Sequence, residues 1–410
     1  MVPPRSVTSP RAPARFLQFN TLREFEEFVT ALNLRGNAPR ELGATAPHMP
    51  LAWDPLPPLV AQRLVETLSQ EGVEVGKSPS AFSAAPGAQR VLAFVSSGQI
   101  ARLASRARSA PLSARAALES LATGFRSIDR QKKGWLRLAG GRRLRLGGKT
   151  LVMGVVNVTP DSFSDGGKFF STEAAIAQGI RLVQEGADLL DIGGESTRPS
   201  ARFVSEAEEA RRVLPVLEGL LRKVEIPLSI DTRRPSVARK ALALGVGMVN
   251  DVSGLALSAM RRVVRDGEAA AVAMHMRGTP ATMQKNTEYR DLRGEVFNFL
   301  AERTRRALAD GIPRDRLIVD PGIGFGKSPE GNVELIDHAG EFRSLGFPVL
   351  IGASRKSFLG VLTGGAMATE RLEASLGAAV LSALRGADIV RVHDVQETVR
   401  ALAIAQAIRP

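Results

Sequence analysis

The chain has 410 residues, of which 44% are hydrophobic and 24% charged, a balance typical of a soluble globular protein with one large and one smaller domain. It contains no cysteine, which excludes disulfides, thiolate metal sites and a cysteine nucleophile. The net charge of +13 does not indicate a nucleic-acid-binding protein, because residues 1–150 hold 22 Lys and Arg against 10 Asp and Glu, whereas the remainder holds 33 against 32.

The basic excess lies mostly in residues 101–150, with 13 Lys and Arg against 2 Asp and Glu. We interpret it as a solvated basic surface and expect no nucleic-acid partner, although a partner with an anionic surface remains open. Residues 1–14 lack the apolar segment of a secretory signal and predict a disordered tail. No apolar run approaches the roughly 20 residues that a membrane span needs. We therefore expect a cytoplasmic protein without membrane contact.

Residues 15–130 predict a small α/β domain whose role the sequence does not indicate. Strands are predicted at RFLQF and RVLAFVSS, and helices at TLREFEEFVTAL, PLVAQRLVETLSQEG and SGQIARLASRARS. Proline- and glycine-containing breaks at 47–58 and 77–87 separate these elements, and a further helix is predicted over 113–128.

Residues 131–150 predict a β-hairpin, because two short alternating runs flank Gly140 and Gly141. Its position suggests that it closes the bottom of the domain that follows. From residue 151 to 410, strands and helices alternate, with strands predicted at 151–157, 188–192, 227–231, 247–250, 270–275, 316–320, 348–352 and 388–391. Eight such repeats indicate a (β/α)₈ TIM barrel. A doubly wound open sheet is the alternative, but it would normally carry a glycine-rich nucleotide turn.

Polar residues end every predicted barrel strand, where an active site is expected. Asp231 alone could be a helix cap, but Asp231, Asn250 and Asp320 together offer acceptors suited to a flat heterocycle with several N–H groups. Lys356 lies at a helix start, where the dipole disfavours a cation, so we expect its ammonium to reach the ring and an incoming nucleophile.

A second group of residues predicts an anion site. Arg391 and His393 share one face of the last strand, and Asn157 ends the first strand, next to it across the barrel closure. Because Mg²⁺ bound to diphosphate and water needs few protein ligands, we expect Mg²⁺ and a diphosphate here, with Asn157 as the metal ligand. We expect His275 to be a buried wall residue. The loops TPDSFSDGGKFFS and GGESTRPSARFVS predict mobile covers, with ordinary surface loops as the alternative.

Eight motifs together resemble the dihydropteroate synthases of folate biosynthesis, in order and over 150–410: NVTPDSFSDGG, DIGGESTRP, SIDTRRPSVA, VNDVSG, MHMRGTPATMQ, DPGIGFGK, GASRKSFLG and RVHDV. The resemblance implies a transferase that condenses (7,8-dihydropterin-6-yl)methyl diphosphate with 4-aminobenzoate, uses Mg²⁺ and commonly forms a homodimer. It also implies a dissociative reaction, in which the C–O bond breaks before the amine attacks.

The resemblance further implies a role for each matching position. The pterin would be held by Asp231, Asn250, Asp320 and Lys356, with Met274 and Gly352 lining its slot. The diphosphate and its Mg²⁺ would be held by Asn157, Arg391 and His393. The 4-aminobenzoate pocket would be formed by Thr197, Arg198, Pro199, Phe325, Lys356 and Ser357, and completed by Asp161, Phe163 and Asp165. Among these residues, Asp231, Lys356, Asp161 and Asp165 would be catalytic.

Two other functions remain open at this point. A pterin-binding methyltransferase that works with a corrinoid protein would keep the pterin-holding residues, but it has no need for SRK together with RVH. The basic N-terminal part could instead bind a nucleic acid or a protein, in which case binding would fall steeply with salt.

Overall fold

A four-stranded antiparallel sheet with two adjoining helices forms the smaller of two units in the computed structural model, which describes residues 13–17, 49–77, 88–107, 110, 114–121, 134–159, 172–196 and 204–408. The strands are β1 (Arg15–Phe16), β2 (Met49–Leu56), β3 (Glu74–Lys77) and β4 (Gln89–Val95), in the spatial order β1-β2-β4-β3. The helices are α1 (Pro58–Gln70) and α2 (Ser97–Arg106), and residues 114–121 are also helical. The core of this unit packs around Trp53, whose indole N–H donates to the carbonyl of Ala117 at 3.2 Å.

The strand predicted at RVLAFVSS and the helices that correspond to α1 and α2 are confirmed. The break predicted at 47–58 is wrong, because β2 occupies most of it and pairs with both β1 and β4. Pro55 is tolerated because the register shifts between Trp53 and Leu56, and such an irregularity spares a ladder hydrogen bond. Residues 1–12 of the predicted tail and the predicted helix TLREFEEFVTAL lie outside the described residues.

This smaller unit also includes the segments 290–298 and 341–346. Arg90 Nη2 donates to Asp54 Oδ2 at 2.8 Å and is also paired with Asp291. Burial would raise the pKa of Asp291, but the charges of Arg15 and Arg90 outweigh it and lower that pKa to about 2. The backbone N–H of Phe16 donates to a serine hydroxyl at position 344 (3.0 Å).

The larger unit is the predicted barrel. Its strands are β7 (Leu151–Asn157), β8 (Leu189–Gly193), β9 (Leu228–Asp231), β10 (Met248–Asp251), β11 (Ala270–Met274), β12 (Leu317–Asp320), β13 (Leu350–Ile351) and β14 (Ile389–Val392), all parallel. Each pairs with its neighbour, and β14 pairs with β7. A parallel bridge from Val319 to Val349 closes the ring beside β13. The TIM-barrel prediction is therefore confirmed, and the open doubly wound sheet is excluded.

Helices follow the strands and form the outer layer. They are α3 (Thr172–Gln184), α4 (Glu206–Leu221), α5 (Pro235–Leu244), α6 (Ser258–Asp266), α7 (Leu292–Ala309), α8 (Pro329–Asp337), α9 (Ser357–Leu362), α10 (Leu372–Leu384) and α11 (Val395–Ile408). Serine side chains cap the start of two of these helices. The hydroxyls of Ser205 and Ser328 accept backbone N–H groups from the first turns of α4 and α8, respectively. Over the described part of the chain, no helix has the length and apolar character needed to cross a bilayer.

A two-stranded hairpin, β5 (Gly134–Arg137) and β6 (Arg143–Leu146), precedes the barrel. Gly140 and Gly141 both have positive φ angles at its turn, a conformation that glycine adopts without steric cost. Alternation along the strands and one residue beyond β5 buries four leucines of the hairpin. They belong to the same apolar cluster as residues from the barrel strands: Leu136, Leu138, Leu144 and Leu146 against Leu151, Met153, Met248, Val272 and Ile318. The hairpin thus covers the end of the barrel where strands begin, and the opposite end carries the polar residues.

Candidate active site

A hydrogen-bonded cluster of two carboxylates, one amide and one guanidinium lies at the carboxyl ends of the barrel strands. Arg391 Nε donates to Asp191 Oδ2 at 2.7 Å, and its Nη2 donates to Asp231 Oδ2 at 2.8 Å. Asn250 Nδ2 donates to the same Asp191 oxygen at 2.9 Å. The four residues come from β14, β8, β9 and β10, so the parallel register of the barrel brings together side chains up to 200 positions apart.

The cluster has unused acceptors. Asp191 Oδ1 and Asn250 Oδ1 are buried, and neither has a hydrogen-bond partner among the described residues. A buried polar atom without a partner costs roughly 1–3 kcal/mol, so a ligand with N–H groups would relieve that cost. The side chains of Asp231 and Arg391 keep 15% and 19% exposure, which leaves the cluster accessible from the barrel mouth.

Burial perturbs the acids of this cluster. Burial raises the pKa of Asp231 to about 7, the nearby charge of Arg391 opposes the rise, and the carboxylate of Asp191 adds to it. Burial also raises the pKa of Asp320 to about 6. Two effects oppose this rise: the N–H of Gly322 donates to Asp320 Oδ1 at 2.6 Å, and Lys356 carries a nearby positive charge. Both groups can therefore change charge near neutral pH, which is frequent at functional sites.

An aromatic wall lies beside the acids. The ammonium of Lys356 is 4.0 Å from the centroid of the Phe325 ring, a distance at which a cation is attracted to an aromatic face. Phe325 and Met274 are buried together with Val252 and Met283. Gly352 lies against Arg391, because a Cβ at position 352 would be 3.6 Å from Arg391 Cβ, an ordinary contact distance. This side of the site could receive a flat aromatic group under the ammonium.

A third group lies where β7 and β14 meet. Asn157 Nδ2 is 3.5 Å from His393 Nε2, and His393 Nδ1 is 3.0 Å from the hydroxyl of Ser354. Arg391 does not join this pair in the described structure, because its guanidinium is bonded to Asp191 and Asp231. Within the described residues, no group of three or more His, Cys, Asp and Glu side chains could hold a metal ion. The amide oxygen of Asn157 suits a Mg²⁺ ion held mainly by phosphate oxygens and water, and the imidazole of His393 suits a hydrogen bond to a phosphate oxygen.

The comparisons with known proteins agree with this geometry. A family described as pterin binding enzyme matches residues 153–393. The dihydropteroate synthase of Synechocystis sp. is 44% identical over 263 residues, which are 64% of this chain and 91% of the relative. That of Neisseria meningitidis serogroup B is 47% identical over 266 residues, 63% of this chain and 93% of the relative.

The chain belongs to the dihydropteroate synthase family.

Solved structures extend the similarity. A Xanthomonas albilineans dihydropteroate synthase with 4-aminobenzoic acid superimposes with a TM-score of 0.63 at 49% identity, and covers 67% of this chain and 98% of its own. The same enzyme in complex with 7,8-dihydropteroate gives 0.61 at 47% identity, with the same coverage. The family resemblance read from the motifs is confirmed, and the chain is a transferase of folate biosynthesis.

The structure describes only part of the predicted synthase site. It brings together Asp231, Asn250 and Arg391, places Lys356 on Phe325, and joins Asn157 to His393. Ser357 is the first residue of α9, directly after Lys356. Six predicted residues from the two long loops lie outside the described residues: Asp161, Phe163, Asp165, Thr197, Arg198 and Pro199.

His275 fits its predicted place in the wall of the synthase. It is 5% exposed, with its ring edge-on to Phe299 at 4.8 Å between centroids. Burial, and then the charges of Lys327 and Arg277, lower the pKa of His275 to about 2, so its imidazole is neutral.

The sequence reasoning missed two residues of the synthase site. Asp191 lies in the middle of the apolar strand LLDIG and is fully buried. An acid inside such a strand was a usable signal, because burying a carboxylate requires a partner. Lys327 ends the motif DPGIGFGK and is 3% exposed. A lysine after several glycines gave no comparable signal, since lysines are usually solvated.

Proposed function

We propose that the barrel condenses (7,8-dihydropterin-6-yl)methyl diphosphate with 4-aminobenzoate, and so forms 7,8-dihydropteroate and releases diphosphate. The buried cluster of Asp191, Asp231 and Asn250 carries this proposal, because its unused oxygens complement the N–H edge of a pterin ring. The Xanthomonas albilineans dihydropteroate synthase has been solved with 4-aminobenzoic acid and with 7,8-dihydropteroate, which supports the two substrate classes.

The pterin would lie flat across the strand ends. Asp231 and Asn250 would accept and donate along one edge of the ring, and Asp320 would accept from another. Met274 is buried beside the aromatic wall and offers an apolar contact for the ring. Gly352 carries no side chain that would take up this space. Hydrogen bonds from the N–H groups of the ring would offset the desolvation cost of burying two carboxylates.

The residues suit a dissociative reaction. When the C–O bond breaks, positive charge develops on the pterin methylene, and the carboxylates of Asp231 and Asp320 stabilise it. The amine of 4-aminobenzoate is nucleophilic at neutral pH, so its attack needs orientation more than a strong base. Lys356 would contact the pterin and, above Phe325, orient the second substrate. Asp161 and Asp165 remain predicted contributors from the loop after β7, as do Phe163, Thr197, Arg198 and Pro199 for the aminobenzoate pocket.

Diphosphate would leave on the side of Asn157 and His393. Asn157 would offer an amide oxygen to Mg²⁺, and His393 would donate to a phosphate oxygen. When bound, the metal would neutralise charge on the leaving group. We also propose that the positive charge of Arg391 attracts the diphosphate. Burial alone would lower the pKa of Arg391, but the charges of Asp191 and Asp231 outweigh burial and keep the guanidinium protonated.

A homodimer is also part of the proposal. Several large apolar side chains on α9 to α11 and the loop before α10 are exposed: Val361 (64%), Leu362 (57%), Met367 (63%), Leu381 (51%), Ile404 (65%) and Ile408 (73%). Exposed apolar side chains on neighbouring helices would suit an interaction surface. Sedimentation equilibrium should show a dimer that Leu381→Glu dissociates, and a wild-type monomer at micromolar concentration would contradict the proposal.

A cytoplasmic location is also proposed, on the basis of the sequence alone.

The test is turnover by the purified full-length chain. With Mg²⁺ and both substrates, diphosphate should be released together with a product of the mass of 7,8-dihydropteroate. Omission of 4-aminobenzoate or chelation of Mg²⁺ should abolish product formation. A folded preparation that binds a pterin ligand but releases no diphosphate would refute the activity. That result would revive the methyltransferase alternative, which the SRK and RVH motifs disfavour.

A further inference from the structure

Lys327 is a buried lysine that the proposed mechanism does not use, and burial lowers the pKa of its side-chain amine well below the usual value. It ends the loop between β12 and α8 and is 3% exposed. Its Nζ donates to the carbonyl oxygens of Gly322 at 2.8 Å and Phe325 at 2.9 Å, and lies 2.9 Å from His275 Nδ1. The carbonyl oxygen of His275 is a fourth, more distant neighbour at 3.5 Å. The three shorter contacts provide a partner for every N–H group that a lysine side chain can carry. A side chain satisfied so fully inside the protein holds its neighbours in one arrangement.

Two of those neighbours belong to different parts of the site. Gly322, whose carbonyl oxygen accepts from Lys327, donates its own N–H to Asp320 Oδ1 at 2.6 Å. The second carbonyl belongs to Phe325, whose ring lies under the ammonium of Lys356. Lys327 is therefore bonded directly to the backbone of Phe325 in the aromatic wall, and through Gly322 it is linked to the side-chain carboxylate of Asp320.

The third neighbour anchors this loop to the strand beside it. His275 follows β11, and its backbone N–H donates to the carbonyl of Asp320 at 2.9 Å. The loop lies directly on it, since a Cβ at Gly322 would come within 1.9 Å of the His275 carbonyl oxygen. Because the His275 imidazole is neutral, its Nδ1 can accept from Lys327. The loop is thus held to β11 as well as to itself.

We propose that Lys327 is a positioning residue that fixes Asp320 relative to Phe325, and so couples the pterin pocket to the aminobenzoate pocket. The inference rests on the proposed function, because it assigns these two residues to two substrates. Lys327 touches neither substrate in this scheme. Its removal should therefore weaken the use of both substrates together, whereas a change in one pocket should weaken only one.

The experiment is a set of steady-state measurements on the full-length chain, varying each substrate in turn. Lys327→Met removes all three hydrogen bonds while keeping most of the side-chain volume. We expect kcat/KM to fall for both substrates, on the order of 10²-fold, because a displacement of about 1 Å at a reacting site can cost that much. The control is Lys240→Met on the exposed surface of α5, which should match the wild type.

A double-mutant cycle separates positioning from a general loss of stability. Phe325→Leu should lower kcat/KM for 4-aminobenzoate and leave the value for the pterin diphosphate near wild type. If Lys327 acts through that ring, its effect on 4-aminobenzoate should shrink in the Lys327→Met/Phe325→Leu double variant, because effects of residues in contact are not additive. Fully additive effects, or unchanged kcat/KM values in a Lys327→Met variant with a lowered Tm, would overturn the inference.

Lys327→Gln guards against a Met variant that does not fold. The glutamine amide keeps two N–H donors and should recover part of the loss for both substrates at once. Recovery for one substrate only, or a variant that matches wild type for both, would overturn the inference. Wild-type turnover in the same assay distinguishes the two failures. An inactive wild type refutes the proposed function, whereas an active wild type with an unaffected Lys327 variant refutes the positioning role alone.

Discussion

Replacing Asp231 by asparagine tests the acceptor cluster directly. The substitution keeps the size of the side chain but removes its charge and turns one acceptor into a donor. Asp231 Oδ2 now accepts from Arg391 Nη2 at 2.8 Å, and Arg391 would keep its second partner, Asp191. The fold should therefore survive, with a small change in Tm. The loss should fall on binding of the pterin and on the charge that develops during reaction.

The size of the loss follows from the hydrogen bonds at risk. A hydrogen bond to a charged group contributes about 1.5–3 kcal/mol, so two such bonds from Asp231 to the ring are worth about 3–6 kcal/mol. At 1.4 kcal/mol per factor of ten, Asp231→Asn should lower kcat/KM for the pterin diphosphate by about 10²- to 10⁴-fold. The assay is diphosphate release at saturating 4-aminobenzoate. Asp337→Asn is the matched control, because Asp337 also pairs with an arginine, at 2.7 Å, on the outer helix layer.

The pH profile sharpens this test. The pKa of Asp231 is raised to about 7, and the carboxylate form is the one that accepts N–H groups of the ring. In the wild type, kcat/KM should therefore rise as pH increases through about 7, and Asp231→Asn should flatten this limb. A variant with less than a tenfold loss, or with the acidic limb unchanged, would show that Asp231 is not the acceptor assumed here.

Three further expectations concern the same end of the barrel. Lys356→Ala should raise KM for 4-aminobenzoate at least tenfold, as steady-state kinetics would show, and an unchanged KM would remove the ammonium from that pocket. Gly322→Ala should lower Tm by many degrees, since its φ is +71° and its Cβ would overlap a backbone carbonyl, whereas Gly364→Ala, also at positive φ but facing open space, should cost far less. Binding of a pterin ligand at pH 6.5 should release protons, because N–H donors of the ligand favour the ionised forms of Asp231 and Asp320. The heat of binding measured by calorimetry should therefore depend on the ionisation enthalpy of the buffer, and a heat that does not depend on the buffer would contradict this.

The barrel could be predicted because its strands are continuous apolar runs that end in polar residues. Both features arise from burial on two faces and from an active site at the strand ends. The error at β2 arose because prolines normally interrupt strands, and only the observed register shift shows how Pro55 is accommodated. Local sequence cannot supply such a shift, since it depends on the partner strand.

Site residues were predictable as a set but not as a network. Asp231, Asn250 and Asp320 followed from their positions after strands, and the structure places all three at the mouth of the barrel. The direction of Arg391 did not follow, because strand alternation fixes the face of a side chain but not where a long guanidinium ends. Its preference for Asp191 and Asp231 over the Asn157 side depends on which carboxylates are buried beside it.

The hairpin of β5 and β6 changes where the catalytic domain should be cut for expression. The family model matches from Met153 onward, but the leucines that cover the barrel floor lie before that position, between 136 and 146. Burying a leucine contributes about 1.5–3 kcal/mol, so a fragment trimmed to the matched region forfeits about 6–12 kcal/mol, as much as the whole stability of many domains. We predict that a fragment starting at Gly134 melts cooperatively while one starting at Met153 aggregates. Equal Tm values for the two fragments would show that the barrel does not need the hairpin for stability.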